Sequence, residues 1–218
     1  TSTPTRPQKQ FKPFPTNTQP MVLYRTPSQF KSLTNPPQGR LWPEKKNIDT
    51  AGSLGVPGTG AWSELDFLNG MASGAGPQER VGRKIQLKSM TFRWNESSTT
   101  DAGQGLRILI VYDKNPENAL PVIADILNND FNGLMNLANS DRFVILMDEV
   151  HQGVASGAAR VNRCGKIYRK LNLPSVWSNT GAAITDITTG AIFAACCLVG
   201  SNIGSGIGYR SRIRYTDV

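Results

Sequence analysis

From residue 44 onward, apolar residues recur with the spacing of β-strands, and no stretch of 12 or more residues shows strong helical amphipathicity. The clearest segment is 209–215, where mostly apolar side chains alternate with Arg210, Arg212 and Arg214. Successive side chains of a strand point to opposite faces. One face of this strand is therefore packed, and the other presents three guanidinium groups.

Further segments have the composition of strands and are separated by turn residues. The predicted strands cover residues 84–94, 106–112, 142–150, 166–173, 183–187, 191–199 and 209–215. Residues 45–51 and 61–68 could each form a further short strand, which gives about eight strands in all. Between them, residues 115–141 carry Pro116 and Pro121 and are predicted to form a long loop with a helical turn.

Two of these segments carry additional information. In residues 84–94 the apolar side chains change phase at Lys88-Ser89, which predicts a β-bulge within one long strand. Residues 106–112 are apolar on both faces, which predicts a central strand of a sheet that is covered on both sides.

This succession of strands predicts an all-β, double-sheet sandwich. About eight strands favour a single jelly roll over the seven-stranded immunoglobulin type, which would also show a Cys…Trp…Cys spacing. A chain of 218 residues is long enough for one such domain with a real core. We assign residues 44–218 to the jelly-roll domain.

Residues 1–43 have a different composition, with nine of the fourteen prolines. Such a segment buries too little apolar surface to offset its ordering entropy, so we expect an extended arm. Up to residue 46 the chain holds eight Lys/Arg against the single acid Glu44, a net charge of +7 out of the total of +8. A basic imbalance of this kind indicates a polyanionic partner, such as nucleic acid or an acidic membrane surface.

The cysteines and the apolar segments exclude several other classes. Cys164, Cys196 and Cys197 are an odd number and fit neither a disulfide framework nor a metal cluster, so we expect buried thiols in a reducing compartment. The longest apolar stretch, residues 191–199, is too short to span a bilayer. No signal peptide is visible, although the chain begins at Thr1 without a methionine.

A search for catalytic chemistry gives no candidate. His151 is the single histidine, and no motif places a nucleophile beside it. Asp113 and the Asp148-Glu149 pair could join a cation site, but cross-strand ion pairs are the favoured interpretation. The glycine-rich residues 200–208 lie between two strands, without the helix that a phosphate loop requires. We therefore expect no enzyme activity, no metal and no cofactor.

Basic residues form three clusters in the predicted domain. Each could neutralise phosphates, or could lie on a solvated sheet face or in a salt bridge between subunits. The clusters are Arg80, Arg83, Lys84, Lys88 and Arg93; then Arg160, Arg163, Lys166, Arg169 and Lys170; and then Arg210, Arg212 and Arg214. In the arm, Phe11, Tyr24 and Trp42 could stack on unpaired bases.

Several phrases of the sequence resemble the coat proteins of circular, single-stranded DNA viruses that encode their own replication initiator. The phrases are LNGMASG (68–74), RVGRKIQLKS (80–89), LRILIVYDK (106–114) and RFVILMD (142–148), and they occur in the same order. The resemblance covers roughly residues 45–215.

The resemblance implies one jelly-roll subunit per chain and about sixty copies in an icosahedral shell. It also implies single-stranded DNA inside, in preference to RNA, with location in the virion and assembly in the host nucleus. The residues predicted to contact nucleic acid are Arg6, Lys9, Lys12, Arg25, Lys31, Arg40, Lys45, Lys46, Arg80, Arg83 and Lys84.

One feature departs from the family pattern, and of the two other classes of function the single histidine argues against the second. Such coat proteins usually begin with a dense arginine-rich tract, whereas the first 39 residues here contain only Arg6 and Arg25 as arginines. We therefore expect a basic tract before Thr1 or another means of packaging. The alternatives are a nucleic-acid-binding protein that forms no shell, and a cupin-like enzyme, which would need several metal-binding histidines.

Overall fold

The computed structural model describes residues 44–55, 60–97, 105–152, 163–199 and 206–218. The strands are β1 (Lys45–Gly55), β2 (Asp66–Phe67), β3 (Lys84–Ser97), β4 (Gly105–Asp113), β5 (Phe143–Gln152), β6 (Cys164–Trp177), β7 (Ile187–Thr189), β8 (Ala191–Val199) and β9 (Gly206–Asp217). One α-helical turn, α1 (Ile123–Ile126), and two 3₁₀ turns (Leu137–Asn139 and Ile184–Asp186) complete the elements. The predicted arm, residues 1–43, lies outside the described residues, and its boundary stays a prediction.

The strands form two antiparallel sheets. Sheet 1 has the order β1-β9-β3-β6-β7, and sheet 2 has the order β2-β8-β4-β5. Strands that are distant in sequence, such as β1 and β9, pair over their whole length. The predicted all-β sandwich of the jelly-roll type is confirmed.

The core lies between the two sheets. From sheet 1, β3 contributes Ile85, Leu87, Met90 and Phe92, all fully buried. Sheet 2 faces them with the apolar residues of β4 and β8. Tyr112 of β4 reaches across the sandwich, and its hydroxyl donates a 2.8 Å hydrogen bond to the carbonyl oxygen of Pro174 in β6.

The predicted bulge in β3 is confirmed. The pairing of β3 with both β6 and β9 shifts register between Leu87 and Ser89. Opposite β9 the extra residue is Lys88, and it lets the apolar side chains on both sides of the bulge point into the core. As a result, Arg93 in the second half of β3 points away from the core.

The outer face of sheet 2 is covered by the segment that connects β4 to β5. This covering segment, residues 114–142, places Ile123, Ile126 and Leu127 in the core cluster. Since both faces of sheet 2 are covered, every residue of β4 after Gly105 is buried. The prediction of a central strand covered on both sides is thus confirmed, as is that of a long loop with a helical turn.

Two ion pairs anchor the covering segment at the ends of β4. Near one end, Arg107 makes bonds of 2.7 and 2.6 Å to the carboxylate of Asp148 and also donates to the carbonyl oxygens of Phe131 and Gly133. At the other end, the fully buried Asp113 accepts hydrogen bonds from Arg142. The covering segment is therefore held in place by buried ion pairs and hydrogen bonds as well as by apolar packing.

Several strand predictions were wrong in extent, three of them as follows. Within residues 61–68 only Asp66–Phe67 form a strand, while Trp62 makes an isolated bridge to Cys197. β6 continues beyond Pro174, which is tolerated because β7 pairs with β6 only at Val176 and Trp177. The first predicted strand ends four residues later than expected, at Gly55.

Two further predictions from the sequence were wrong locally. The segment 183–187 forms a 3₁₀ turn (Ile184–Asp186), and the strand begins only at Ile187. Gly190 then joins β7 to β8 with a φ of +82°, a conformation that favours glycine. Cys164 is exposed, whereas Cys196 and Cys197 are buried as expected. None of the helices in the described ranges has the length and apolar character needed to cross a bilayer.

Candidate nucleic-acid interface

The outer face of sheet 1 carries a dense set of basic side chains. Arg210, Arg212 and Arg214 on β9 are exposed, as the alternation in the sequence predicts, while their neighbours Ser211 and Ile213 are buried. We call this surface the basic face and define it by Arg93, Lys166, Lys170, Arg210, Arg212 and Arg214, all of them exposed.

The strand register arranges these cations in rows across the sheet. In the first row, Arg93 lies directly opposite Lys166 on one side and Arg210 on the other. In a second row, Ser89 lies between Lys170 and Arg214. Neighbouring strands are about 4.8 Å apart, so the basic groups of the first row are crowded together. Like charges that face each other across strands destabilise a sheet.

A third row separates the two cationic rows and contains the only ion pair of the basic face among the described residues. Arg212 makes bonds of 2.6 and 2.5 Å to the two carboxylate oxygens of Asp49 on β1. The hydrogen bond from Arg212 lowers the pKa of Asp49 below its ordinary value of 3.8. Tyr168 of β6 and Thr91 of β3 occupy the other positions of this row.

The remaining five cations of the basic face form no hydrogen bond or ion pair with described residues. Other arginines in the same chain are paired: Arg107 with Asp148, Arg142 with Asp113, and Arg163 with Glu96. Of the 16 acidic residues in the chain, only Asp101 lies outside the described ranges. The rest of this chain can therefore supply the basic face with at most one further carboxylate.

A groove runs over the basic face. Its volume is about 490 Å³, and its lining includes Asp49, Thr91, Arg93, Lys166 and Arg210. The groove follows the sheet between two cationic rows, and most of its lining residues are polar. Such a groove is suited to an extended polyanion more than to an apolar ligand.

Three basic clusters that are far apart in sequence contribute to this face. The first supplies Arg93, the second Lys166 and Lys170, and the third all three of its arginines. Other members have separate roles: Arg163 pairs with the buried carboxylate of Glu96, and Arg169 lies 3.6 Å from Glu149. Arg160 lies outside the described residues.

The residues predicted to contact nucleic acid are only partly described. Arg6, Lys9, Lys12, Arg25, Lys31 and Arg40 lie outside the described residues, so their role stays a prediction. Lys45, Arg83 and Lys84 are exposed at the starts of β1 and β3. They form no hydrogen bond through their side chains to described residues, and their role also stays a prediction.

The other two predicted contacts, Lys46 and Arg80, are enclosed by this subunit. Lys46 is 4% exposed, and its Nζ lies 3.4 Å from Asp217 and donates to the carbonyl oxygen of Glu79. Arg80 is 1% exposed, stacks 4.7 Å from the ring centre of Trp177, and donates to the carbonyl oxygens of Gly82 and Asn179. Burial lowers the pKa of Arg80. Both cations are occupied within the fold, so we leave them out of the basic face.

The acidic residues considered as cation ligands are used in ion pairs, as the favoured interpretation predicts. Asp148 and Asp113 bind Arg107 and Arg142, and Glu149 lies near Arg169 and His151. The described residues contain no group of three or more His, Cys, Asp or Glu side chains that could hold a metal ion. His151 packs its ring on Trp94, with 4.8 Å between the ring centres.

Two residues of this surface, Asp49 and Tyr168, could not be identified from the sequence. Asp49 was a single acid in a short predicted strand, and Tyr168 was one aromatic residue in a basic segment. Their position between the cationic rows depends on the pairing of β1 with β9 and of β6 with β3. The alternation within 164–170 could have placed Lys166, Tyr168 and Lys170 on one face, but could not have placed Arg93 beside them.

Comparison with known proteins leaves the chain without a family. No family model matches the sequence, and no curated protein matches it. One similar solved structure is a chain of infectious bursal disease virus Gx strain, with 10% identity and a TM-score of 0.29. The match covers 81% of the present chain but only 32% of the other, so the present chain spans about a third of its length.

A second similar structure belongs to Desmodium yellow mottle tymovirus. It is 13% identical, has a TM-score of 0.29, and the match covers 85% of the present chain and 94% of the other. Both scores are too low to establish a shared fold or function. The functional assignment therefore depends on the residues of this chain.

Proposed function

We propose that this chain is a virus coat protein that assembles into a closed icosahedral shell, of about sixty copies in the simplest case. In this proposal the shell packages single-stranded nucleic acid, with DNA favoured over RNA, and the basic face of sheet 1 contacts that nucleic acid. The order of the sequence phrases and the jelly-roll fold support the coat-protein role. The cations of the basic face that have no acidic partner support the contact with nucleic acid.

The observation that carries the proposal is the row formed by Lys166, Arg93 and Arg210. Their mutual repulsion opposes folding of sheet 1, and no described carboxylate of the same subunit offsets it. Phosphate groups lying along the groove would offset it, because Lys and Arg neutralise phosphates irrespective of base sequence. Packaging a whole genome requires this kind of sequence-independent contact.

The opposite side of the subunit supports self-assembly. The covering segment leaves Val122, Leu134 and Leu137 exposed, with 61%, 75% and 82% of each residue accessible. Exposed apolar side chains mark protein contacts where they form a contiguous patch. In the proposal these side chains lie between copies of the chain, whose closed symmetry would bury them.

The proposed role is structural, and the proposed locations are the virion and, during assembly, the host nucleus. The titratable side chains most suited to chemistry have structural contacts instead. Asp113 and Glu96 are buried in ion pairs with arginine, and burial raises the pKa of Cys196 to about 12 and that of Cys197 to about 11. Thiols with such pKa values are protonated at neutral pH and are poor nucleophiles.

Imaging of the purified chain tests shell formation. The chain is mixed with a single-stranded oligonucleotide at neutral pH and moderate salt, and is examined by negative-stain microscopy and light scattering. We expect uniform closed particles of about sixty subunits. A monodisperse monomer would contradict the proposal, and small oligomers that bind nucleic acid without closing would support the binding-protein alternative.

A pair of matched variants tests which surface contacts the nucleic acid. The first carries Arg93→Gln, Lys166→Gln and Arg210→Gln, and the second carries Lys45→Gln, Arg83→Gln and Lys84→Gln, so each loses three positive charges. We expect both to form particles, and only the first to lose most of the nuclease-protected nucleic acid. Equal loss in both would extend the interface to the cations that the sequence predicted, and loss in the second alone would exclude the basic face.

Digestion of the recovered cargo tests the preference for DNA. Nucleic acid extracted from particles that form inside cells is treated with DNase or with RNase. We expect DNase to digest it, and digestion by RNase alone would show that the cargo is RNA.

A further inference from the structure

Tyr168 differs from the three other described tyrosines. The hydroxyl groups of Tyr112, Tyr209 and Tyr215 donate hydrogen bonds to the carbonyl oxygen of Pro174, the carboxylate of Asp66 and the carbonyl oxygen of Glu79, respectively. The same three residues are nearly completely buried. Tyr168 is 52% exposed, and its hydroxyl has no hydrogen-bond partner among the described residues.

The position of Tyr168 places an aromatic ring inside the basic face. It lies on β6 between Lys166 and Lys170, at the next outward position in each direction along the strand. Outward positions are about 7 Å apart along a strand. On the neighbouring strand β3 it lies opposite the small residue Thr91, which lines the groove together with Lys166. The ring is therefore flanked by cations and borders open space.

An exposed ring between two ammonium groups has a specific chemical use. A nucleic-acid base can stack on the ring while the phosphates on either side of that base meet Lys166 and Lys170. Stacking of this kind requires an unpaired base, because the faces of bases in a duplex are covered by their neighbours. Charge alone would not distinguish a single strand from a duplex.

We infer that Tyr168 is a base-stacking residue, and that it makes the basic face prefer single-stranded nucleic acid over duplex. The inference rests on the proposed function, in which this face contacts nucleic acid. It adds a residue that contacts a base only when the base is unpaired, whereas the cations contact the phosphates of single strands and duplexes alike. The preference does not depend on base identity, since every base has a face that can stack.

The test compares oligonucleotides that differ only in their bases. Binding of the full chain is measured by fluorescence anisotropy with three probes: a 12-nucleotide dT strand, an abasic strand with the same number of phosphates, and a 12-base-pair duplex. The variant Tyr168→Thr keeps a β-branched residue suited to a strand, and Tyr168→Phe keeps the ring without its hydroxyl. Any stacking by the aromatic residues of the arm is the same in the unaltered chain and in both variants, so it does not affect the comparison.

We expect Tyr168→Thr to weaken binding of the dT strand by about fivefold or more, and to leave binding of the abasic strand and of the duplex within about twofold. Tyr168→Phe should bind like the unaltered chain. Equal weakening for the dT and abasic strands would overturn the stacking role, and so would no weakening at all. A failure of the proposed function would be different, because the unaltered chain would then bind none of the probes in a salt-dependent way.

Discussion

Both sheets of the sandwich bury one face in the common core, but they use the second face in opposite ways. The second face of sheet 2 is covered by residues 114–142, and every residue of β4 from Leu106 to Asp113 is buried. None of the described residues covers the second face of sheet 1, which is basic. A jelly roll thus needs only one buried face in each sheet, and what covers the other face can be set by function.

The two faces also differ in how they use arginine. On sheet 2, Arg107 is 6% exposed and forms a bidentate ion pair, two hydrogen bonds to carbonyl oxygens and a contact with the ring of Trp62. On sheet 1, Arg93 and Arg210 face each other without an acidic partner among the described residues. Arginine therefore stabilises the outer face of sheet 2, whereas on sheet 1 the repulsion between arginines lowers the stability of the fold. The following predictions test this contrast, from the largest expected effect to the smallest.

Replacement of Arg107 should have the largest effect on stability. Arg107→Met leaves the carboxylate of Asp148 and two carbonyl oxygens without their donor, so we expect the free energy of unfolding to fall by about 3 kcal/mol. Arg210→Met on the basic face should change it by less than about 0.5 kcal/mol. Urea denaturation measures both, and similar losses in the two variants would contradict the contrast between the sheets.

Replacement of one basic-face arginine should change the salt dependence of nucleic-acid binding. Each phosphate contact contributes about 0.7 to the slope of log K against log salt for a single strand, so Arg93→Gln should make that slope shallower by about 0.7. Lys114→Gln removes one exposed cation from the covering segment and should leave the slope unchanged. Titration of a dT strand at several salt concentrations gives both slopes, and a change in the Lys114 variant alone would reverse the assignment.

Removing charge from the row should also stabilise the subunit in the absence of nucleic acid. Arg93→Thr relieves repulsion from Lys166 and Arg210, so we expect the free energy of unfolding to rise by about 0.3 kcal/mol at low salt. The gain should disappear at about 1 M salt, where charges are screened over about 3 Å. Denaturation curves at both salt concentrations check this, and a loss of stability at low salt would argue against repulsion in the row.

Asp49 should give the smallest effect on stability, and the size of that effect depends on pH. Arg212 lowers the pKa of Asp49 in the folded chain, so the ion pair adds stability at pH values above 3.8, and this contribution is lost as pH falls through the lowered pKa. The stability difference between the unaltered chain and Asp49→Asn should therefore be small at pH 7 and should shrink toward pH 3. The freed Arg212 should also steepen the salt slope at pH 7, by less than about 0.7. A difference that grows on acidification would be incompatible with the lowered pKa.

Much of the fold could be predicted because its signals are local. The phase change at Lys88, the apolar run in β4 and the alternation in β9 each fixed a strand and the direction of its side chains. The bounds of the short strands β2 and β7 could not be predicted, since Asp66–Phe67 and Ile187–Thr189 are held by pairing with other strands. Their own residues carry too few apolar positions to show a period.

The candidate site was predictable only in parts, because charge in the sequence does not indicate burial. Arg80 and Arg83 belong to the same basic cluster, yet Arg80 is buried against the ring of Trp177 and Arg83 is exposed. The three clusters join only through the register of β3 with β6 and with β9. No local pattern in 84–94 indicates that Arg93 has Lys166 and Arg210 as neighbours.

The bulge at Lys88 has a consequence for how this protein can vary. Single substitutions on the basic face change one charge each, and the strand remains in place. Deletion of Lys88 would instead remove the bulge and leave a regular alternation, in which Met90, Phe92 and Trp94 still point into the core and Arg93 still points outward. The side-chain directions in the second half of β3 can therefore survive the loss of Lys88, and what the bulge sets is the register of β3 against β9, which shifts by one residue between Leu87 and Ser89.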